Sequence, residues 1–198
     1  MSPNLVATLP SVDGPGVEIR PVDQTNWGDF ETFFESVGIL NSCWCMAWRM
    51  TKQELKTNTS ACRRTFLAER VQSGVPIGLL AYTDGRPVAW CSVGPRPTHR
   101  RLGGDDELDQ VWSITCFYVV RQFRGRGLVR RLIERAGEYA LSQGAEHLEA
   151  YPVDPDSPSY RFMGLVSTFE KAGFRHVKDA GARRHVMVRR CQLDDSGA

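Results

Sequence analysis

Apolar and polar positions along this chain follow two periods, and the change between them marks out the elements. Residues 77–82 and 87–93 are apolar or alternating runs of strand length around Asp84-Gly85, a pair that favours a hairpin turn. Residues 111–120 form a longer run rich in β-branched and aromatic side chains, which predicts another strand. From 128 to 143 the period lengthens. Val129, Leu132, Ile133, Ala136, Ala140 and Leu141 recur at spacings of three and four, with Arg130, Arg131, Glu134, Arg135 and Glu138 opposite. Gly144 terminates this helix, and 148–151 reads as the next strand. Leu165, Val166, Phe169 and Ala172 give a second apolar stripe before Gly173, and 174–178 with 184–190 read as a closing hairpin.

The N-terminal half is less regular. Residues 1–15 carry Pro, Ser and Gly without a period and are expected to be a flexible lead. A short strand over 17–20 ends at Pro21. Asn26 is expected to cap a helix that carries Trp27, Phe30, Phe33 and Phe34 on one side and ends near Gly38. A loop over 40–50 then leads into a polar helix over 52–72, and 95–110 is a long polar loop expected at the surface. With a short polar tail over 193–198, the folded domain spans 16–192. This order of strands and helices suits a mixed α/β sheet with helices on both faces.

Composition narrows the function. The 198 residues suffice for one substantial core, and 41% hydrophobic with 24% charged residues is ordinary for a soluble protein. A net charge of +2 marks no global field for nucleic acid or a membrane surface. No run approaches the roughly 20 apolar residues of a membrane span. The first twenty residues hold Pro, Asp and Glu without an apolar stretch, so they are not read as a signal peptide, and a cytoplasmic location is expected. Cysteines stand at 43, 45, 62, 91, 116 and 191, and reduced, partly buried thiols are expected. Ligation by Cys43, Cys45 and Cys62 is the lesser reading, because zinc pairs prefer two to four intervening residues; no metal is expected.

The chemistry concentrates in Arg124-Gly125-Arg126-Gly127-Leu128-Val129, where a strand passes through a glycine turn into a helix. The first turn of a helix has backbone N–H groups without intrahelical partners and roughly half a positive charge from the macrodipole. Glycines at 125 and 127 let that backbone approach an anion closely. A P-loop would need a Gly-Lys pair, and the chain has none; a dinucleotide fingerprint would need glycine where Arg130 stands. The stretch resembles the pyrophosphate loop of the GNAT acyltransferase superfamily, with Arg124, Gly127 and Val129 in the three defining places. Val129 stands where the family has a small residue. Phe169-Glu170-Lys171-Ala172-Gly173-Phe174 resembles the family's late helix-to-strand junction. Together these resemblances extend over about 75–190.

The resemblance implies a mostly antiparallel mixed sheet with helices on both faces, and acetyl-CoA or a related acyl-CoA as donor. It implies backbone contacts to pantetheine from Phe117, Tyr118 and Val119, and pyrophosphate held by the amides of Gly125, Arg126, Gly127, Leu128 and Val129. Arg124 and Arg126 would add charge-assisted bonds to phosphate. The implied reaction is direct attack of a primary amine on the thioester. Such a reaction needs a neutral amine, a donor to the oxyanion and a proton for the thiolate.

Phe169 stands where the family usually places its tyrosine acid, so the proton must come from elsewhere. Tyr160, Ser167 and Thr168 are the nearby candidates, with Tyr160 preferred. For the base, Glu149 on the strand after the long helix is set beside Asp154, Asp156, His99 and water. Cys116 on the strand before the loop is read as a core thiol ahead of a covalent nucleophile. Trp44, Met46 and Trp48 are candidates for an apolar acceptor wall, or else close the core under a loop. Asp105, Asp106 and Glu107 can attract a cation or remain solvated. The acceptor is a small-molecule or peptide amine, and the protein a monomer or homodimer. Two other classes stay in view. One is a catalytically inactive acyl-CoA sensor or scaffold. The other is a nucleic-acid module, suggested by five arginines within 121–131 but opposed by the small net charge.

Overall fold

A computed structural model describes residues 16–38 and 43–191. The expected lead over 1–15, the first residues of the 40–50 loop and the tail over 193–198 lie outside the described residues. Seven strands form one sheet: β1 (Val17–Pro21), β2 (Gly78–Thr83), β3 (Arg86–Pro95), β4 (Val111–Val119), β5 (His147–Ala150), β6 (Arg175–Ala180) and β7 (Arg184–Arg190). Their order across the sheet is β1-β2-β3-β4-β5-β7-β6, and every pair is antiparallel except β4 with β5. This is the mixed, mostly antiparallel sheet that the sequence implied.

Among the described residues four α-helices cover it: α1 (Trp27–Ser36), α2 (Ser60–Gln72), α3 (Leu128–Ser142) and α4 (Val166–Lys171). Leu128, Leu132, Ile133, Ala136 and Ala140 of α3 share one core with Phe169, Ala172, Leu148, Ala150 and Met187. On the other face Phe30, Phe33 and Phe34 of α1 and Leu67 and Val71 of α2 pack with Leu80, Tyr82 and Trp90. Helices therefore lie on both faces of the sheet.

Three local expectations are corrected. Asn26 does not cap α1. Its Oδ1 accepts from the Asp23 N–H (2.9 Å) and its Nδ2 donates to the Pro21 carbonyl (2.9 Å), which fixes the turn after β1. The polar helix over 52–72 is broken in two. Thr51 and Glu54 cap each other reciprocally and start a short 3-10 turn, Glu54–Thr57. Thr59 is extended, and its hydroxyl accepts from the Cys62 N–H (3.1 Å) to begin α2. Thr, Asn and Ser side chains bind the backbone locally and so stop one helix as readily as they start the next. The 95–110 loop is not wholly at the surface. Leu102 and His99 are buried, Arg96 donates to the Asp105 and Leu108 carbonyls within the loop, and the Asp105 N–H donates to Glu149 of β5.

Candidate active site

β4 is paired with β3 from Val119 to Trp112, with a register slip at Ser92/Val93. With β5 it pairs only from Val111 to Ile114. Beyond that point the chain leaving β5 bridges through Val153 to Leu165 and Arg184 instead. Thr115–Val119 thus has a strand on one side and none on the other. Two parallel strands that separate partway leave a cleft edged by main-chain polar groups, where an extended ligand can complete the ladder.

The exposed edge leads through a short 3-10 turn, Arg121–Phe123, into the glycine loop. Gly125 (φ +74) and Gly127 (φ +73) both take the left-handed backbone that glycine adopts without strain, and the space where a Gly125 Cβ would stand is open. Gly127 is the N-cap of α3 and no side chain caps that end. Leu128 is buried, Gly127 is exposed, and Val129 packs partly against the α3 core. Val129 is thereby accommodated on the core side of the helix. Arg124 is exposed; its Nε donates to the Val119 carbonyl (2.9 Å) and its guanidinium lies 5.8 Å from the Tyr118 ring centroid. Arg126 lies 5.9 Å from the Phe123 ring centroid. Of two larger hollows, one lies at the far end of the sheet by Gln110 and Gly144, and the other runs from the β2–β3 turn to Val120, Gln122 and Phe123, just before the loop.

On the face opposite α3, a polar and aromatic group collects beyond the end of β5. Glu149 is fully buried. Its Oε1 accepts from the Asp105 N–H (2.7 Å), its Oε2 accepts from the Tyr151 hydroxyl (2.5 Å), and the Arg96 guanidinium is 3.7 Å away. The candidate base is therefore an interior carboxylate with both oxygens engaged. Burial and the neighbouring carboxylate push the Tyr151 hydroxyl far above the ordinary tyrosine range. Arg184 holds its guanidinium 5.1 Å from Trp48, 6.0 Å from Tyr151 and 5.5 Å from Tyr160, as ring-centroid distances. Tyr160 itself sits 6.1 Å from Trp48 and takes a left-handed φ of 60° before the 3-10 turn Arg161–Met163. A cleft of about 300 Å³ opens between Tyr160 and the β6–β7 turn. Two buried donors in this group, Trp48 Nε1 and Arg184 Nη1, have no hydrogen-bond acceptor.

The other candidates disperse. Trp44 and Met46 are core residues, with Trp44 stacked on Phe34 at 5.6 Å, so of the three proposed wall residues only Trp48 reaches the group. Ser167 is exposed on α4, whose buried Phe169 packs against Phe117 and Phe174 in the α3 core; it is not brought to Tyr160. His99 is buried, and burial with the nearby Arg49 cation holds it well below the ordinary histidine range. Cys45 is buried beside Cys116 and accepts from Trp90 Nε1 (3.0 Å); the Cys116 contact and desolvation raise its thiol far above the usual value, against the opposing pull of the Trp90 N–H. Cys43, Cys45 and Cys62 do not converge as metal ligands among the described residues. Tyr151, Arg96 and Arg184 were missed from sequence. Tyr151 was readable, being two residues from Glu149 and so on the same strand face; Arg96 and Arg184 carried no local signal.

Residues 38–174 match the Acetyltransferase (GNAT) family. The chain belongs to the GNAT acetyltransferase family. Its fold is shared with the PaiA N-acetyltransferase of Thermoplasma acidophilum in complex with coenzyme A (TM-score 0.55, 15% identity, 88% of this chain and 98% of that one). It is shared with YncA, a putative acetyltransferase of Salmonella typhimurium with acetyl-CoA (0.53, 18%, 92% and 97%). A ribosomal-protein-alanine N-acetyltransferase of Brucella melitensis is similar to the same degree (0.53, 18%, 89% and 99%). No curated protein matches the sequence. No helix among the described residues is long and apolar enough to cross a membrane.

Proposed function

We propose that this GNAT protein is an N-acetyltransferase that moves an acetyl group from acetyl-CoA to a primary amine by direct attack. The observation that carries the reading is the separation of β4 from β5 at Ile114, which leaves the Thr115–Val119 edge running into the uncapped start of α3. Backbone groups of Phe117, Tyr118 and Val119 bind the pantetheine amides. The amides of Gly125, Arg126, Gly127, Leu128 and Val129 hold the pyrophosphate, with Arg124 and Arg126 at its rim. Known structures of the fold with coenzyme A and acetyl-CoA support this donor.

The amine arrives on the face that carries Glu149, Tyr151, Trp48, Tyr160 and Arg184. Trp48 forms its wall. Tyr160 gives a proton to the departing thiolate; Glu149, buried with both oxygens engaged, draws the ammonium to this face, and the ammonium loses its proton to water before attack. Direct attack is favoured over a cysteine intermediate because Cys116 packs against the core under α1 and α2, beside the buried Cys45. The two donors without acceptors, Trp48 Nε1 and Arg184 Nη1, favour an acceptor with a carboxylate or amide oxygen near its amine. Thiol release from acetyl-CoA, measured over amines in pairs with and without such an oxygen, tests both statements. Release with some amine and preference for the oxygen-bearing partner is expected. No release with any amine, while acetyl-CoA binds, would favour a sensor or scaffold.

A further inference from the structure

We propose that His176, Asp179 and His185 bind a divalent transition-metal ion of the zinc class at the β6–β7 hairpin, outside the β4–β5 cleft. His176 and Asp179 are three residues apart on β6, a spacing that puts side chains on opposite faces of a regular strand. β6 is not regular there. His176 pairs with Met187 and Lys178 with Val186, so Val177 is an extra residue. This bulge turns His176 onto the face of Asp179, and Asp179 pairs directly with His185 on β7.

The outcome is a common focus. Asp179 Oδ1 lies 3.1 Å from His176 Nε2 and 2.9 Å from His185 Nδ1, and the three donor atoms all fall within 4.8 Å of one another. Metal–nitrogen and metal–oxygen bonds of about 2.0–2.2 Å place neighbouring ligands roughly this far apart. Among the described residues no other three such side chains converge.

A fourth residue prepares the site from another segment. His185 Nε2 is 3.0 Å from Asp154 Oδ2, in the loop after β5. An N–H donated there leaves Nδ1 as a lone pair facing a carboxylate oxygen that also has only lone pairs. Two acceptors at 2.9 Å need a cation, or a second proton on His185, between them. Metal-binding histidines commonly donate their other N–H to a carboxylate, which sets the tautomer and strengthens the ligand. Two imidazoles and one carboxylate suit zinc, cobalt or nickel over calcium or magnesium, which prefer oxygen. The half-exposed His176 and Asp179 leave room for water as a further ligand. A bound ion would hold β6 to β7 at this point and fix the His185 tautomer that donates to Asp154, beside Arg184 of the aromatic group.

The test is titration of the full chain, stripped of metal, with cobalt(II), followed by visible absorption and then by displacement with zinc. One equivalent is expected, with ligand-field bands and no thiolate-to-metal charge transfer. His176→Gln and His185→Gln should abolish the bands without loss of helical circular dichroism. Asp154→Asn should keep the stoichiometry and weaken binding about ten- to a hundred-fold. A thiolate band, bands that survive both histidine variants, or no uptake of cobalt at micromolar concentration would each overturn the assignment.

Discussion

Tyr160 occupies a left-handed backbone position that a tyrosine adopts at some cost, and its ring lies beside both Trp48 and the Arg184 guanidinium. Tyr160→Phe retains that packing and removes one hydroxyl. A fall in kcat of about 100-fold or more is expected, with acetyl-CoA affinity and melting temperature unchanged; an unaltered kcat would reduce Tyr160 to packing. His99 offers a test of burial instead of catalysis. Its Nδ1 is 3.3 Å from the Pro95 carbonyl, its Nε2 has no partner, and the buried Arg49 cation faces it. Arg49 is itself pushed down to about 10 by burial, since neutral oxygens of Ile77, Ser92 and Thr98 are its acceptors. Because His99 is held below its unfolded value, the unfolded chain takes up a proton first as pH falls. Its contribution to stability is therefore complete at neutral pH and is lost below about pH 6.5, at up to about 1.4 kcal/mol per pH unit. Chemical denaturation between pH 7 and 5 should show a shallower decline for His99→Gln than for the wild type. Parallel declines would contradict the assignment.

At the scale of elements, the 95–110 loop and β5 depend on each other through Gly104. A Cβ at Gly104 would land on the Glu149 carboxylate, so the loop can close over β5 only with glycine there. Gly104→Ala is expected to cost about 1–3 kcal/mol and to free the Asp105 amide from Glu149. A melting temperature within error of wild type would show that the loop does not need this contact. What was legible in the sequence followed locality. The α3 stripe, the Asp84-Gly85 hairpin and the glycine loop each draw their structure from residues within one turn or pair, and each formed as the pattern implied. The break at Thr59 is legible too, in the Thr51-x-x-Glu54 capping pair and the Thr-Asn-Thr-Ser run over 57–60. The acceptor side was not legible. Trp44 and Trp48 lie four residues apart in one apolar segment, and it takes the distant partners Phe30 and Phe34 of α1 and Ser60 of α2 to turn Trp44 inward. Arg184 joins Trp48, Tyr151 and Tyr160 through the β7 pairing, which no local pattern announces.

For the whole molecule, one topological fact organises the function. A parallel pair lies in the middle of an otherwise antiparallel sheet, and its strands part at Ile114, leaving the rest of β4 to run on toward the loop that opens α3. The α3 face then serves as packing, while the α1 and α2 face carries the buried carboxylate and the aromatic group. Donor and acceptor would meet through the gap between β4 and β5. The central claim is that the start of α3 holds the pyrophosphate of coenzyme A, and Gly127→Asp addresses it most directly. Aspartate is among the few L residues that tolerate left-handed backbone, and at a helix N-terminus its charge favours the helix, so the fold should persist. The same carboxylate would stand against the phosphates. Calorimetric titration of acetyl-CoA into both proteins is expected to show binding to the wild type and none to a folded Gly127→Asp. Equal affinity in the two would contradict the account.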